Sequence, residues 1–508
     1  MTVLIGTELS FEDVIAVALE GGHVEIAPGV AERMAASRRI VEDAVAEGRT
    51  VYGITTGIGQ LANVRIAPAN AERVQRDIVR SHAVAVGPPL PTPVVRAMLL
   101  LRARTFAFGI SGVRFELVER LAQMLNAGLH PVVPAQGSLG ASGDLALLAH
   151  LALPLLGEGR AEVGGIEMDA ADALERTGIK RLEPSFKEGL ALVNGTEGML
   201  GLGILTWCGA RRLALSADIV GAMSVEACFA TDQVFSDELI SLRKHPGARL
   251  VAANLRMLLE GSAIVASHRD SEHLVQDAYS LRCIPQVHGA YRDGLSYVRA
   301  TLEAELGSAI DNPTVLVHSN RVYSAGNFHG EALGLALDHL GLCLAGYATI
   351  SERRTARLVD PNLNNGLPPF LTADPGMRSG FMIAQYTAAS LASENRGLCW
   401  PASSDSVTSS AGQEDHVSMG MTSARRAAEI LKNSEHVIAI EALAAAQGLD
   451  LRGEPPALGT GAALEKVRQL SPRLGEDRPL SHDMEEVRGL IARGTLEHAV
   501  ESAVGPLL

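Results

Sequence analysis

Residues 331–354 are apolar on nearly every face until the run closes on Ser351-Glu-Arg-Arg354. A surface helix carries one apolar stripe. A helix that is apolar all round must be enclosed by other elements. The segments 200–220, 296–309, 381–394 and 422–446 share this character, the last ending at Gln447-Gly448 with Pro455 and Pro456 beyond. A set of such helices leaves few alternatives to a large helical bundle. Amphipathic helices surround it. Leu117, Leu121, Met124 and Leu125 recur at helical spacing and stop at Gly128, with Pro131 following. Residues 30–46 and 92–108 read the same way.

Strand signals are few. Residues 315–317 and 321–323 flank Ser319-Asn320 and predict a small hairpin, while 22–28 and 160–168 are weaker candidates. The order predicts an N-terminal region over 1–190, a central helical bundle over 191–450 and a C-terminal helical region over 451–508.

Composition excludes several classes. Acidic residues outnumber basic ones by 58 to 44, a net charge of −14, which argues against nucleic acid or an anionic membrane as the main partner. The apolar runs 145–156 and 340–350 are too short to cross a bilayer and read as buried helices. The first residues lack the basic start of a signal peptide. The five cysteines, at 208, 228, 283, 343 and 399, have no paired spacing, so neither a disulfide framework nor a zinc cluster is expected, and a reducing cytoplasm is the simplest setting.

The densest cluster of small residues is Pro134-Ala-Gln-Gly-Ser-Leu-Gly-Ala-Ser-Gly-Asp144. It lacks the preceding strand and the glycine spacing of a nucleotide-binding loop. Taken alone it also reads as an ordinary loop into the helix 145–156, with Asp144 near its N-cap. The residue types allow a second chemistry. The amide nitrogen of Gly143, unhindered by a Cβ, can attack the carbonyl of Ala141. Ser142 then loses its hydroxyl as water, and the product is a methylidene-imidazolone electrophile.

The segment Gly137-Ser-Leu-Gly-Ala-Ser-Gly-Asp-Leu-Ala146 resembles the signature of the aromatic amino acid ammonia-lyase family. Tyr52-Gly-Ile-Thr-Thr-Gly57, Asn194-Gly-Thr-Glu197, Gln276-Asp-Ala-Tyr-Ser-Leu-Arg282 and Gln413-Glu-Asp-His-Val-Ser-Met419 resemble further motifs of that family, in its order. Asp311-Asn-Pro313, Gly326-Asn-Phe-His329 and Ser379-Gly-Phe-Met-Ile-Ala384 are weaker matches. The resemblance implies an all-α fold of the fumarase/aspartase-like superfamily, with a long central bundle and a smaller N-terminal region carrying the electrophile loop. It also implies a homotetramer whose active sites gather residues from three subunits, and a 4-methylidene-imidazole-5-one group (MIO) formed from Ala141, Ser142 and Gly143. No metal or nucleotide is implied.

By the same resemblance Tyr52 is the base, Arg282 pairs with the substrate carboxylate, and Tyr279 lies near the electrophile. A guanidinium suits a carboxylate because its donors match both oxygens. Asn194 bonds the electrophile or the substrate, and Gln276 and Phe328 are pocket positions. On residue type alone Tyr52 and Phe328 also read as core packing, and Arg282 as a structural ion pair. His82, Met382 and Glu414 match the histidine-specific branch, so the implied reaction is loss of ammonia from L-histidine to give trans-urocanate. Thr55, Ile58 and the 360–369 segment lean towards tyrosine lyases and aminomutases, and Glu197 stands where Gln is usual. A tyrosine or other aromatic lyase, a 2,3-aminomutase, or a lyase for a modified histidine is therefore the alternative. A non-catalytic homologue is the third reading, opposed by Tyr52, Ser142, Arg282 and Glu414 all being present.

Overall fold

The apolar run at the centre of the sequence forms the helix Glu331–Val359 in the computed structural model, which describes residues 2–271, 273 and 275–508. The other predicted bundle segments are helices too: Glu197–Ala227, Ile284–Leu306, Met382–Leu398 and Gly420–Arg452. The architecture is all-α with a few short strand pairs, as expected. Several boundaries differ, the helix predicted over 200–220 running on to Ala227 and that over 331–354 to Val359. The helix predicted from 296 starts at Ile284, and the one predicted to stop at Gln447 continues to Arg452. Gly448 inside that helix has a packing reason: a Cβ there would lie 3.0 Å from the Cβ of Ala227.

The apolar run 145–156 stays short, whereas 340–350 lies inside the longer helix Glu331–Val359. By length and composition it could cross a membrane, and two-thirds of the relevant stretch is buried within the protein.

Contacts group the chain into two compact units that interleave along the sequence instead of following its order. The first comprises 1–205, 300–338 and 401–425. Its core is the helix Thr92–Ala107, buried from Val94 onward. Three arginines in this helix survive burial by donating to main-chain carbonyls: Arg96 to Val17, Arg102 to Asn194 and Arg104 to Ser308. Glu116–Ala127 packs beside it and ends on Gly128 in the left-handed conformation, as its sequence predicts. The predicted 315–323 hairpin forms, with Thr314–Leu316 pairing Arg321–Tyr323 and Asn320 left-handed at φ 50°. The single strand expected over 160–168 is instead a hairpin, Arg160–Val163 with Ile166–Asp169, turning on Gly164-Gly165.

The second unit comprises 206–299, 339–400 and 426–508. Its apolar helices enclose paired charges. Arg354 holds Glu441 through both carboxylate oxygens, and Ser224 donates to the same carboxylate at 2.6 Å. Asp218 accepts from Arg292 and from His288, each at 2.7 Å. Buried charges of this kind fix register more than they add stability.

Candidate active site

The loop that carries Ala141, Ser142 and Gly143 is shaped by close backbone approach. Strand Pro134–Gln136, paired with Val86–Pro89, delivers the chain to Gly137, Gly140 and Gly143, all at positive φ. At Gly143 the requirement is absolute, because a Cβ would stand 1.9 Å from the carbonyl oxygen of Gly195. Ala141 and Gly143 bridge each other across the turn. This is the compact geometry that attack of the Gly143 nitrogen on the Ala141 carbonyl needs, so the three residues fit an imidazolone formed from them.

Asp144 does not cap the helix Leu145–Ala152 with its side chain, although it stands at that helix's start. Its carboxylate accepts instead from the Met199 N–H at 2.8 Å, in the first turn of Glu197–Ala227, and from the Ser138 hydroxyl at 3.0 Å. Complete burial pushes its carboxyl up to about 7, against the pull of these donors. The sign follows from linkage. The folded state holds this proton where the unfolded chain has lost it, so the stabilisation is full below about pH 4 and is lost as pH rises through about 7. Asp144→Asn is expected to flatten the fall in thermal midpoint between pH 5 and 8. Part of the slope stays, because Glu497 is likewise raised to about 7. An unchanged slope in melting curves would refute this assignment.

A cavity of about 400 Å³ opens beside the loop, lined among others by Tyr52, Ile58, His82, Ser142, Asn194 and Glu414. That volume suits a small molecule. An adjoining recess shares His82, Leu145, Ser410 and Glu414, and is also lined by Ala141 and Gly143. The tripeptide therefore faces both spaces.

Each lining residue is held by identifiable contacts. The Tyr52 phenol oxygen accepts the Gly59 N–H at 3.1 Å. Thr55, three residues before the cavity-lining Ile58, turns its hydroxyl into its own loop, donating to the Arg49 carbonyl at 2.6 Å and accepting from the Val51 N–H at 2.8 Å. Of the two departures in this loop, Ile58 lines the cavity and Thr55 does not. His82 Nδ1 lies 2.8 Å from the Ile78 carbonyl, which can only accept. That contact places the ring proton on Nδ1 and leaves Nε2 an acceptor in the neutral ring. Glu414 accepts from the Ser409 hydroxyl at 2.7 Å. The strap around it is strained, with Ser410 and Ala411 left-handed at φ 48° and 51°. Ser410 accepts from the Gln60 N–H at 3.3 Å and so ties this strap to the Tyr52 loop.

Asn194 follows the short helix Glu188–Val193. That helix is anchored by buried Glu188, which accepts from Arg114 at 2.6 Å. The Asn194 amide donates to the Asn312 carbonyl at 2.8 Å, while its buried Oδ1 has no hydrogen-bond partner among the described residues. Glu197 does not bring an unbalanced charge: Arg102 pairs with it at 2.9 Å and Thr105 donates to it at 2.9 Å.

The remaining predicted residues are elsewhere. Phe328 is half-buried on the 326–330 loop and does not line the cavity. Gln276, Tyr279, Arg282 and Met382 belong to the second unit. Tyr279 is 71% exposed, and the Arg282 guanidinium lies 4.6 Å from its ring centroid. Gln276 is exposed and borders a separate hollow with Asp232 and His273. Met382 opens the helix Met382–Leu398.

Several contributors escaped the sequence reading. Asn312 lines the cavity, and the preceding Asp311 accepts from fully buried Lys187 at 2.6 Å. The Asp311-Asn-Pro313 match pointed at this segment, but nothing in the sequence marks Lys187 as its partner. Ser409 and Ser410 lie in a polar run that offers no motif.

A helical chain whose Ala-Ser-Gly turn faces a cavity shared with a tyrosine and a glutamate defines a class, and comparison agrees. The model of the aromatic amino acid lyase family matches residues 9–469, and the chain belongs to that family. The histidine ammonia-lyase of Gloeobacter violaceus is 50% identical over 506 residues, covering 99% of this chain and 98% of that protein. Among solved structures, histidine ammonia-lyase from Trypanosoma cruzi is 40% identical with a TM-score of 0.91, over 99% of this chain and 96% of that one. Tyrosine aminomutase from Streptomyces globisporus is 38% identical with a TM-score of 0.95, over the whole of both chains.

Proposed function

We propose that this enzyme is a carbon–nitrogen lyase that removes ammonia from L-histidine to give trans-urocanate. One observation carries the choice of substrate: Glu414 and His82 line the same cavity as Tyr52 and Ser142. Imidazole and imidazolium present N–H donors, and a carboxylate and a neutral His82 Nε2 are both acceptors. A phenyl ring offers them nothing, and a tyrosine phenol offers one neutral O–H donor where imidazolium offers a charged one. The full-length similarity to histidine ammonia-lyases points the same way.

Ala141, Ser142 and Gly143 would form a 4-methylidene-imidazole-5-one, which would supply an electrophilic carbon for activating the substrate amine. The other residues position and move protons. The Tyr52 oxygen is the base that takes the β-proton, the carbon–nitrogen bond breaks, and the double bond forms between Cα and Cβ. The Gly59 N–H donates to that oxygen at 3.1 Å and orients it. Asn194 Oδ1 accepts from the substrate amine, and Glu414 and His82 hold the ring. Arg282 binds the carboxylate, with Tyr279, Gln276, Phe328 and Met382 completing the pocket. The enzyme works as a homotetramer in the cytoplasm, with each active site built from several copies. The exposure of Tyr279 and Gln276 in the single chain supports that assembly.

Ile58 and the similarity to a tyrosine aminomutase favour a second reading, an aromatic lyase or 2,3-aminomutase. Glu414→Gln separates the two. Losing a charged hydrogen bond to the ring costs about 1.5–3 kcal/mol, or roughly 10- to 150-fold in kcat/KM for L-histidine. The same change is expected to cost L-tyrosine less, because its neutral phenol O–H finds an acceptor in the amide oxygen as well. Parallel steady-state kinetics on both amino acids decide. Equal losses on both, or a parent that prefers tyrosine, would favour the second reading.

A further inference from the structure

The loop before the helix Glu331–Val359 and the strap after Glu414 bring together three side chains that the proposed reaction does not use. These are His329, Glu331 and His416, each offering one donor atom within 4.8 Å of the others. The two imidazoles are nearly parallel, at an interplanar angle of 3° with centroids 5.7 Å apart. His416 Nε2 stands 3.6 Å from Glu331 Oε2. Donors on a tetrahedral zinc ion, each about 2.0–2.1 Å from the metal, are about 3.3 Å apart. The His416–Glu331 separation is thus within a few tenths of an ångström of coordination, and a swing of the His329 ring closes the rest. His329 Nε2 lies 3.4 Å from the His416 carbonyl oxygen, which leaves the carboxylate without a short partner. Glu331 Oε2 is buried and has no hydrogen-bond partner among the described residues, an arrangement that costs free energy unless a cation satisfies it.

We propose that His329, Glu331 and His416 form a binding site for a divalent first-row transition ion of the zinc class, with solvent in the open position. Two histidines and one carboxylate are a donor set suited to Zn²⁺, and thiolates are not required. The exposure of His416 gives the ion a path in. Such an ion clips the 326–331 loop to the strap that carries Glu414 two residues before His416. The proposal concerns residues outside the reacting cavity and stands apart from the choice of amino acid substrate.

The test is titration of untagged, chelator-stripped full-length protein with Zn²⁺ by calorimetry, with Co²⁺ absorption as the coordination readout. One ion per chain is expected. His329→Asn and His416→Asn should each weaken binding at least ten-fold and remove the visible Co²⁺ bands, with circular dichroism confirming the fold. Glu414→Gln should keep the affinity of the parent. No binding by the parent, unchanged affinity in both histidine variants, or loss of binding only in Glu414→Gln would each overturn the assignment. None of these readouts depends on turnover, so failure of this site and failure of the proposed reaction are distinguishable.

Discussion

Ser142→Ala is expected to lower kcat by about 10³-fold or more, the scale on which removing a covalent catalyst acts. The reasoning is chemical. The variant keeps Ala141, Gly143 and the turn that the missing Cβ of Gly143 permits. It lacks only the hydroxyl whose departure creates the electrophilic double bond. Without that carbon the amine remains a poor leaving group, and no other side chain lining the cavity replaces it. Fold should be untouched, because one oxygen at the mouth of a cavity is removed and no core group is opened. The intact mass of the parent should fall short of its sequence mass by two water molecules, and that of the variant should not. Normal turnover by a folded variant, or a parent mass equal to the sequence mass in active protein, would remove the proposed electrophile.

Tyr52→Phe should cost about 10²- to 10⁴-fold in kcat, the usual worth of a positioned general base. The loss should appear in kcat more than in KM, because the phenol oxygen is asked to act on the β-proton and not to anchor the ring or carboxylate. The ring itself still fills its place in the cavity wall. The hydrogen bond from the Gly59 N–H disappears, so the loop loses one tie but keeps the one through Ser410 and Gln60. A variant that raises KM with kcat intact would recast Tyr52 as a binding residue. Steady-state kinetics with solvent and β-deuterium isotope effects make the distinction.

The long helices were legible because enclosure imposes an apolar surface that periodicity reveals. The electrophile turn was legible through the motif around it, because Ala-Ser-Gly taken alone also reads as an ordinary loop. Tyr52, His82, Asn194 and Glu414 were found by motif, and they share one cavity with Ser142. Long-range partners were not legible. Lys187 meets Asp311 across more than a hundred residues, and Asp144 reaches past its own helix to the first turn of Glu197–Ala227. No local pattern encodes either contact. Thr55 shows the opposite error, since a residue that seemed to report on substrate spends its hydroxyl inside the loop. The Arg160–Asp169 hairpin was hidden because its Gly-Gly turn was read as part of one strand. Tyr279 and Arg282, placed at the active centre by resemblance, lie in the second unit, and their role there rests on the proposed assembly.

The central claim is that the Ala141–Gly143 turn, Tyr52 and Glu414 act together on histidine. It is tested most directly by incubating the purified enzyme with L-histidine and following trans-urocanate in the near ultraviolet, with ammonia measured in parallel. The account predicts steady urocanate formation with one ammonia released per product. No urocanate from protein whose mass shows the two-water loss would contradict it, and a β-amino acid product or turnover of tyrosine alone would point to the aminomutase reading.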